Sequence, residues 1–341
     1  MKKAWLQILA AVFLIAGATG CAGIAQDSPT TQNSNREKIT IALGHDTSAT
    51  EDSHFQQFAK KFKELLELET NGQVLVDIHA NGVLGGEREM TESVQVGTLD
   101  MVLTSTGPIG NFVPIVNALD FPFLFRDREH ANKVLDGEIG EEMSHQLEQV
   151  GFKTLVWGEN GFRHITNSKR PIVRPEDMKG IKIRTMENKI HLDSFHAFGA
   201  DPTPMSFTEV FTSLQQGVID GQENPLSVIV PAKLYDVQKY LTLSGHFYSA
   251  ALLLMNKDKY ESYPAQVQQA LLKSAAAARD YERQFIAKKE EEYLRILKDA
   301  GVQVVSQSEY DHEAFRAAAK PVYDQYWKEY GELLEKISAL K

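Results

Sequence analysis

Residues 38–79, KITIALGHDTSATEDSHFQQFAKKFKELLELETNGQVLVDIH, read as a strand, a helix and a second strand in that order. Lys38–Leu43 alternates polar and apolar side chains and is rich in β-branched residues, the pattern of a strand with one covered face. From Asp52 to Thr70 the apolar positions Phe55, Phe58, Ala59, Phe62, Leu65 and Leu66 recur at three- and four-residue spacing. That spacing places them on one stripe of a helix, and Asn71-Gly72 supplies its stop. Val74–His79 is a second strand, Glu87–Val96 a helix and Met101–Leu103 a third strand. Strands joined through helices run parallel with the helices on the sheet face, so the class is α/β.

Further along, the same alternation returns. Lys153–Trp157 and Gly180–Arg184 read as strands, Ser206–Gly217 contains a helix with Val210, Phe211 and Leu214 on its apolar face, and Val218–Asp220 reads as another strand. A second α/β unit over about 162–249 follows, and the length suits two domains at ~100–200 residues each. From Ala265 to Ala300 there is neither Gly nor Pro. A continuous helix there would measure about 50 Å at 1.5 Å per residue, long enough to cross both units. The tail from Tyr310 to Leu340 is helical again, with Tyr323, Tyr326, Trp327 and Tyr330 as packing residues. No fixed repeat is present, which excludes a solenoid.

The 341 residues carry 36 Lys+Arg against 46 Asp+Glu, a formal charge of −10, so no basic excess exists to neutralise nucleic acid. The single cysteine excludes a disulfide framework and a thiolate-rich metal site. Residues 1–20 read as a signal peptide: Lys2 and Lys3 precede an apolar run from Ala4 to Ala16 that is too short to span a bilayer. Ala18-Thr19-Gly20-Cys21 resembles a bacterial lipobox, although the position three before the cysteine, usually Leu, is Ala18. The resemblance implies a lipidated Cys21, a flexible tether over 21–36, and a folded body held outside the cell membrane.

Catalytic motifs are missing from the sequence. There is no His-Glu-x-x-His, no Gly-x-Ser-x-Gly, no Walker loop and no Gly-x-Gly-x-x-Gly after a strand. The ten histidines are scattered and no cluster demands a metal, so no cofactor is expected. What stands out is a pair of arginines, Arg163 and Arg184. Arg184 ends the Gly180–Arg184 strand, where ligands sit in open α/β sheets, and a guanidinium there can grip a carboxylate through two parallel hydrogen bonds.

Four motifs carry a family resemblance: Gly161-Phe-Arg-x-x-Thr-Asn-Ser, Pro175-Glu-Asp-Met-Lys-Gly-Ile-Lys-Ile-Arg184, Gly199-Ala-Asp-Pro-Thr-Pro-Met-Ser-Phe207 followed by x-Glu-Val-Phe, and Gln215-x-Gly-x-Ile-Asp-Gly-Gln-Glu-Asn-Pro225. In that order they resemble the solute-binding subunit of tripartite ATP-independent periplasmic (TRAP) transporters, the DctP family. The resemblance covers about 37–330. It implies a two-domain periplasmic-binding-protein-like α/β fold, each domain a mixed sheet flanked by helices, with a long helix spanning both. The expected division is 37–161 plus about 250–289 against 162–249 plus about 290–341, with the ligand cleft between.

By the same resemblance Arg184 clamps an organic-acid carboxylate, Arg163 supports it, Asn224 reaches it through its amide and Phe207 lines the cleft. Asp46, Glu87 and Ser105 fall at matching pocket positions. Their oxygens can accept hydrogen bonds from hydroxyls, which suits a sugar acid or hydroxy acid better than a plain dicarboxylate. Glu187 is read as a further hydroxyl acceptor and as a counter-charge to the arginines, and His45 and His246 as polar wall residues. The implied activity is capture and delivery to the membrane permease subunits, not catalysis. The rival reading is a secreted lipoprotein enzyme using Asp46 and Glu87 as paired carboxylates on acidic sugars; a third is a plain surface lipoprotein.

Overall fold

The computed structural model describes residues 38–341; the leader, Cys21 and the tether lie outside the described residues. Strands β1 (Ile39–Gly44), β2 (Val74–His79) and β3 (Met101–Ser105) pair in parallel with β1 in the middle. The helices His54–Glu69 and Glu87–Gln95 make the two crossovers. Further along are β4 (Phe152–Asn167), β5 (Lys182–Thr185), β6 (Asp201–Pro204), β7 (Gly221–Asn224), β8 (Tyr240–Asn256) and β9 (Gln303–Val305). All nine form one mixed sheet in the order β2-β1-β3-β8-β4-β7-β5-β6, with β9 on β8.

The two sheets expected from the sequence merge because β4 and β8, of 16 and 17 residues, are long enough to belong to both. They pair antiparallel along their length, with register shifts between Thr154 and Val156, Glu159 and Gly161, and Arg163 and Ile165. β3 docks on Ala251–Met255 of β8, and β7 docks on His164–Asn167 of β4. Irregular register bends a strand pair and raises its local twist, which suits the stretch joining the two halves.

One core packs Phe55, Phe58, Phe62 and Leu66 against Ile41, Leu43, Val76 and Met101. Each fully buried side chain of this size contributes roughly 1.5–3 kcal/mol. A core in the second half joins Val210, Ile219, Leu226 and Leu241. The long helix Ala265–Asp299 serves both, giving Leu271, Ala275 and Ala278 to the first and Tyr293 and Leu297 to the second. At its midpoint the buried Glu282 accepts a hydrogen bond from Glu159 N at 3.1 Å, at the irregular stretch of β4, and burial pushes its carboxyl pKa well up.

Two boundaries differ from expectation. The strand read at Val218–Asp220 lies at Gly221–Asn224. Val218 N still bonds Ser213 O at the end of the preceding helix, and Ile219 is spent on that helix's core. The last helix, His312–Ala339, runs back over the first half: Val322, Tyr330, Leu334 and Ile337 pack with Met90, Val102 and Phe152. The segment beyond about 290 therefore touches both halves and not the second alone.

Helices Arg128–Leu135 and Glu138–Gln149 meet so closely that a Cβ on Gly140 would lie 1.9 Å from the Leu135 carbonyl oxygen. Gly140→Ala should destabilise by about 2 kcal/mol through backbone displacement. A fall of several degrees in Tm by calorimetry would show it; an unchanged Tm would contradict this packing.

Candidate functional site

The carboxyl ends of β1, β3 and β5 bring Asp46, Ser105 and Arg184 toward one cleft, with Glu87 opening the helix that follows Gly85-Gly86. A space of about 10 Å³, roughly one water, is left among Asp46, Glu87, Arg184, Met205 and Phe207. The rims touch. A Cβ on Gly86 would lie 2.2 Å from Ser206 Oγ, and one on Gly82 2.5 Å from Thr208 Cγ2. An acid of several carbons enters this part of the cleft only when its walls move apart.

Arg184 is buried and its Nε donates to Met205 O at 2.9 Å. Its two terminal nitrogens make no hydrogen bond with a described residue. Burial and the neighbouring Arg163 lower its pKa to about 10, against the opposing charges of Glu223, Glu87 and Asp46, so it remains cationic at neutral pH.

Arg163 is wholly buried in β4, and its fork is already occupied. Nε donates to Glu223 Oε2 at 2.6 Å, and Nη2 donates to Glu223 Oε1 at 2.8 Å and to Glu223 O at 2.6 Å. Nη1 is left without a partner. Burial alone would raise the Glu223 carboxyl, but the Arg163 charge and bonds from His246 and Arg163 hold it well below the usual range. His246 stands behind this pair, with Nε2 3.2 Å from Glu223 Oε2 and Nδ1 2.7 Å from Ser244 Oγ. It braces Glu223 and does not line the small space described above.

Asn224 ends β7 beside Arg163, its Nδ2 donating to Gln222 Oε1 at 2.6 Å. Phe207 opens a short turn and lines the same space as Arg184. Ser105 turns to Glu87: its N donates to Oε1 at 2.6 Å and its hydroxyl to Oε2 at 2.8 Å. Ser105 thus orients a carboxylate. Burial pushes Glu87 up, against those bonds and the arginine charges; burial and the Glu87 charge push Asp46 well up, against Arg184. One oxygen of Asp46 is buried without a partner.

His45, like His246, stands elsewhere than expected. His45 is a packing residue: Nε2 lies 2.9 Å from Gln56 Oε1 and Nδ1 3.1 Å from Thr47 Oγ1, and burial lowers its pKa to about 4. Glu187 lines the same space as Arg184, but its carboxylate is not the counter-charge of Arg163. It accepts from Arg88 Nε at 3.1 Å across the rim, and its carbonyl accepts from Asn111 Nδ2 at 2.7 Å. The true counter-charge, Glu223, stood unremarked inside Gln-Glu-Asn-Pro. It directly precedes Asn224, and a buried arginine without an acid nearby would be costly. No group of three or more His, Cys, Asp or Glu side chains among the described residues is placed to share a metal ion.

Because Asp46 binds its proton more tightly folded than unfolded, it lowers stability as pH rises above its unfolded value near 3.9. Asp46→Asn should therefore make the ligand-free protein more stable at pH 7 and flatten its loss of stability between pH 4 and 7. Chemical denaturation at several pH values measures this; equal pH slopes in variant and wild type would count against it.

Residues 44–330 match the family described as bacterial extracellular solute-binding protein, family 7, DctP. A solute-binding protein of Verminephrobacter eiseniae is 46% identical over 85% of this chain and 86% of its own length. The 2,3-diketo-L-gulonate-binding periplasmic protein of Escherichia coli is 39% identical over 85% and 88%. A TRAP periplasmic solute-binding protein of Polaromonas, solved with D-erythronate bound, superposes with a TM-score of 0.86 at 44% identity, covering 89% of this chain and 99% of that one. Proteins of this family are periplasmic and serve transport with membrane permease components rather than catalysis. A family match over most of the chain, with relatives 46% and 44% identical, means that this protein belongs to the DctP family, the solute-binding subunits of TRAP transporters.

Proposed function

We propose that the chain captures a small monocarboxylate bearing hydroxyls, a sugar acid or hydroxy acid, between its two halves and delivers it to the TRAP permease. The observation that carries this reading is Arg184, a buried guanidinium with both terminal nitrogens uncommitted, facing Asp46 and Glu87. The ligand carboxylate takes those nitrogens in a two-point contact, Arg163 Nη1 and the Asn224 amide lie behind it, and Phe207 covers it. Hydroxyls donate to Asp46 and to the Glu87 carboxylate that Ser105 holds. A second carboxylate at that end would meet two acids, which favours a sugar acid over a dicarboxylate. The erythronate held by the Polaromonas protein and the diketogulonate of the Escherichia coli relative's name are acids of the first kind.

Capture follows from closure. The halves, 37–161 with the first part of the long helix and 162–249 with its later part, move about the irregular stretch of β4 and β8. Only the closed state offers both contact sets, so the ligand draws the population toward it by its differential affinity. The rim contacts Arg88–Glu187 and Gly86–Ser206 belong to that state. Cys21, acylated after removal of residues 1–20, anchors the body through the 22–36 tether.

A thermal-shift panel of dicarboxylates, hydroxy acids, uronates and aldonates tests this. A ligand at 100 times its Kd stabilises by ~2.7 kcal/mol. Arg184→Ala should lose ~3–5 kcal/mol of binding, a few hundred- to several thousand-fold in Kd, while remaining folded. No shift with any acid, or equal shifts in wild type and Arg184→Ala, would reject the reading. For the anchor, Cys21→Ser should move the protein from the membrane fraction to the soluble one; unchanged partition would remove the lipid.

A further inference from the structure

A second cavity, of about 600 Å³, shares no lining residue with the space around Arg184. It lies beside β4 and β8 where they cross between the halves. Phe162 and His164 of β4 and Ser244 and Gly245 of β8 line it, with the 123–129 segment and the start of the last helix completing it. Its volume falls in the ~300–1,000 Å³ range of small-molecule sites. The Phe123, Phe125 and Phe162 rings give it an apolar wall suited to a flat body.

Its charged lining consists of three arginines, Arg126, Arg128 and Arg316, and three carboxylates. Each lining carboxylate is engaged: Asp127 accepts from His130 N, Glu129 pairs with Lys133, and Glu290 pairs with Arg128. Arg316, by contrast, has no carboxylate partner among the described residues. Its Nη1 donates to Phe123 O at 3.3 Å and its guanidinium lies 5.0 Å from the Phe123 ring centre, leaving other N–H groups for a ligand. His164 adds a donor from a site only 4% exposed. Its Nδ1 accepts from Gly245 N at 3.1 Å, which fixes the proton on Nε2, and Nε2 has no protein partner. Burial, with the His246 and Arg128 charges, lowers its pKa to about 3, so it stays a neutral N–H donor at physiological pH. The cavity thus presents the Arg316 guanidinium, which has no carboxylate partner among the described residues, and the His164 ring beside three aromatic rings.

We propose that this cavity is a second ligand site, separate from the cleft, for a small carboxylate carried on a planar apolar body. The carboxylate meets Arg316 and the His164 N–H while the flat portion lies against the phenylalanines. A charge-assisted hydrogen bond is about twice as strong as a neutral one, so the anion and not the ring alone should decide binding.

Benzoate is the probe and benzyl alcohol its uncharged control, titrated calorimetrically into the full chain and into Arg316→Ala, Arg316→Gln and Arg184→Ala. Nitrogen NMR of the His164 ring reports the contact directly. Benzoate should bind at millimolar concentration and shift the His164 Nε2–H signal. Arg316→Ala and Arg316→Gln should each weaken it about ten-fold or more, Arg184→Ala should leave it unchanged, and benzyl alcohol should bind wild type no better than benzoate binds Arg316→Ala. The proposal is overturned if benzoate fails to bind wild type, if Arg184→Ala abolishes binding and so places it in the cleft, or if both Arg316 variants bind as wild type does.

Discussion

Arg163 and Glu223 lie wholly out of solvent, joined by side-chain bonds of 2.6 and 2.8 Å, and this pair sets the electrostatics of everything around it. A guanidinium in such a place is tolerable only beside a buried acid, and the acid in turn needs its remaining lone pairs met. His246 and the Glu223 carbonyl complete that arrangement, with Ser244 fixing the imidazole. Because Glu223 already balances Arg163, Arg184 is the neighbouring guanidinium whose terminal nitrogens make no hydrogen bond with a described residue. The neighbouring Asp46 and Glu87, pushed toward their protonated forms by burial, do not cancel its charge fully.

The same pair depends on strands that belong to both halves. Arg163 sits in β4, Glu223 in β7 and His246 in β8, so the charge network stands where the long strands cross. Their register shifts at Glu159–Gly161 and Arg163–Ile165 give that crossing its irregularity. The long helix spans the crossing on one side, tied at its midpoint by Glu282 to Glu159 N. The crossing is thereby confined to a short stretch, with one packed core on either side.

Much of this was legible in the order of residues. The stripe from Phe55 to Leu66 appears as a helix from His54 to Glu69, because a helical period needs no knowledge of its partner. Likewise the Gly- and Pro-free run after Pro264 became one 35-residue helix. Arg184 was legible as the end of a strand. Glu187 lines the same space as Arg184, but the chain leaves β5 there and its carboxylate turns to Arg88, so the counter-charge of Arg163 is Glu223 instead. Gly221–Asn224 was misplaced because its side chains are polar. A buried strand is normally recognised by apolar residues, and here Gln222, Glu223 and Asn224 are buried polar ones.

The amino-acid sequence by itself determined the α/β class, the parallel crossovers of the first half, the long helix, the family motifs and the two arginines. These are local: period, capping and motif order are properties of neighbouring residues. Only the tertiary structure decided that β4 and β8 fuse two sheets into one, that the last helix returns over the first half, and that Glu223 and not Glu187 neutralises Arg163. Those outcomes join residues as far apart as Arg163 and Glu223 or Phe152 and Tyr330. The pairing of buried charges and the closing of cores are settled by which surfaces lose water together, a quantity that no window of sequence contains.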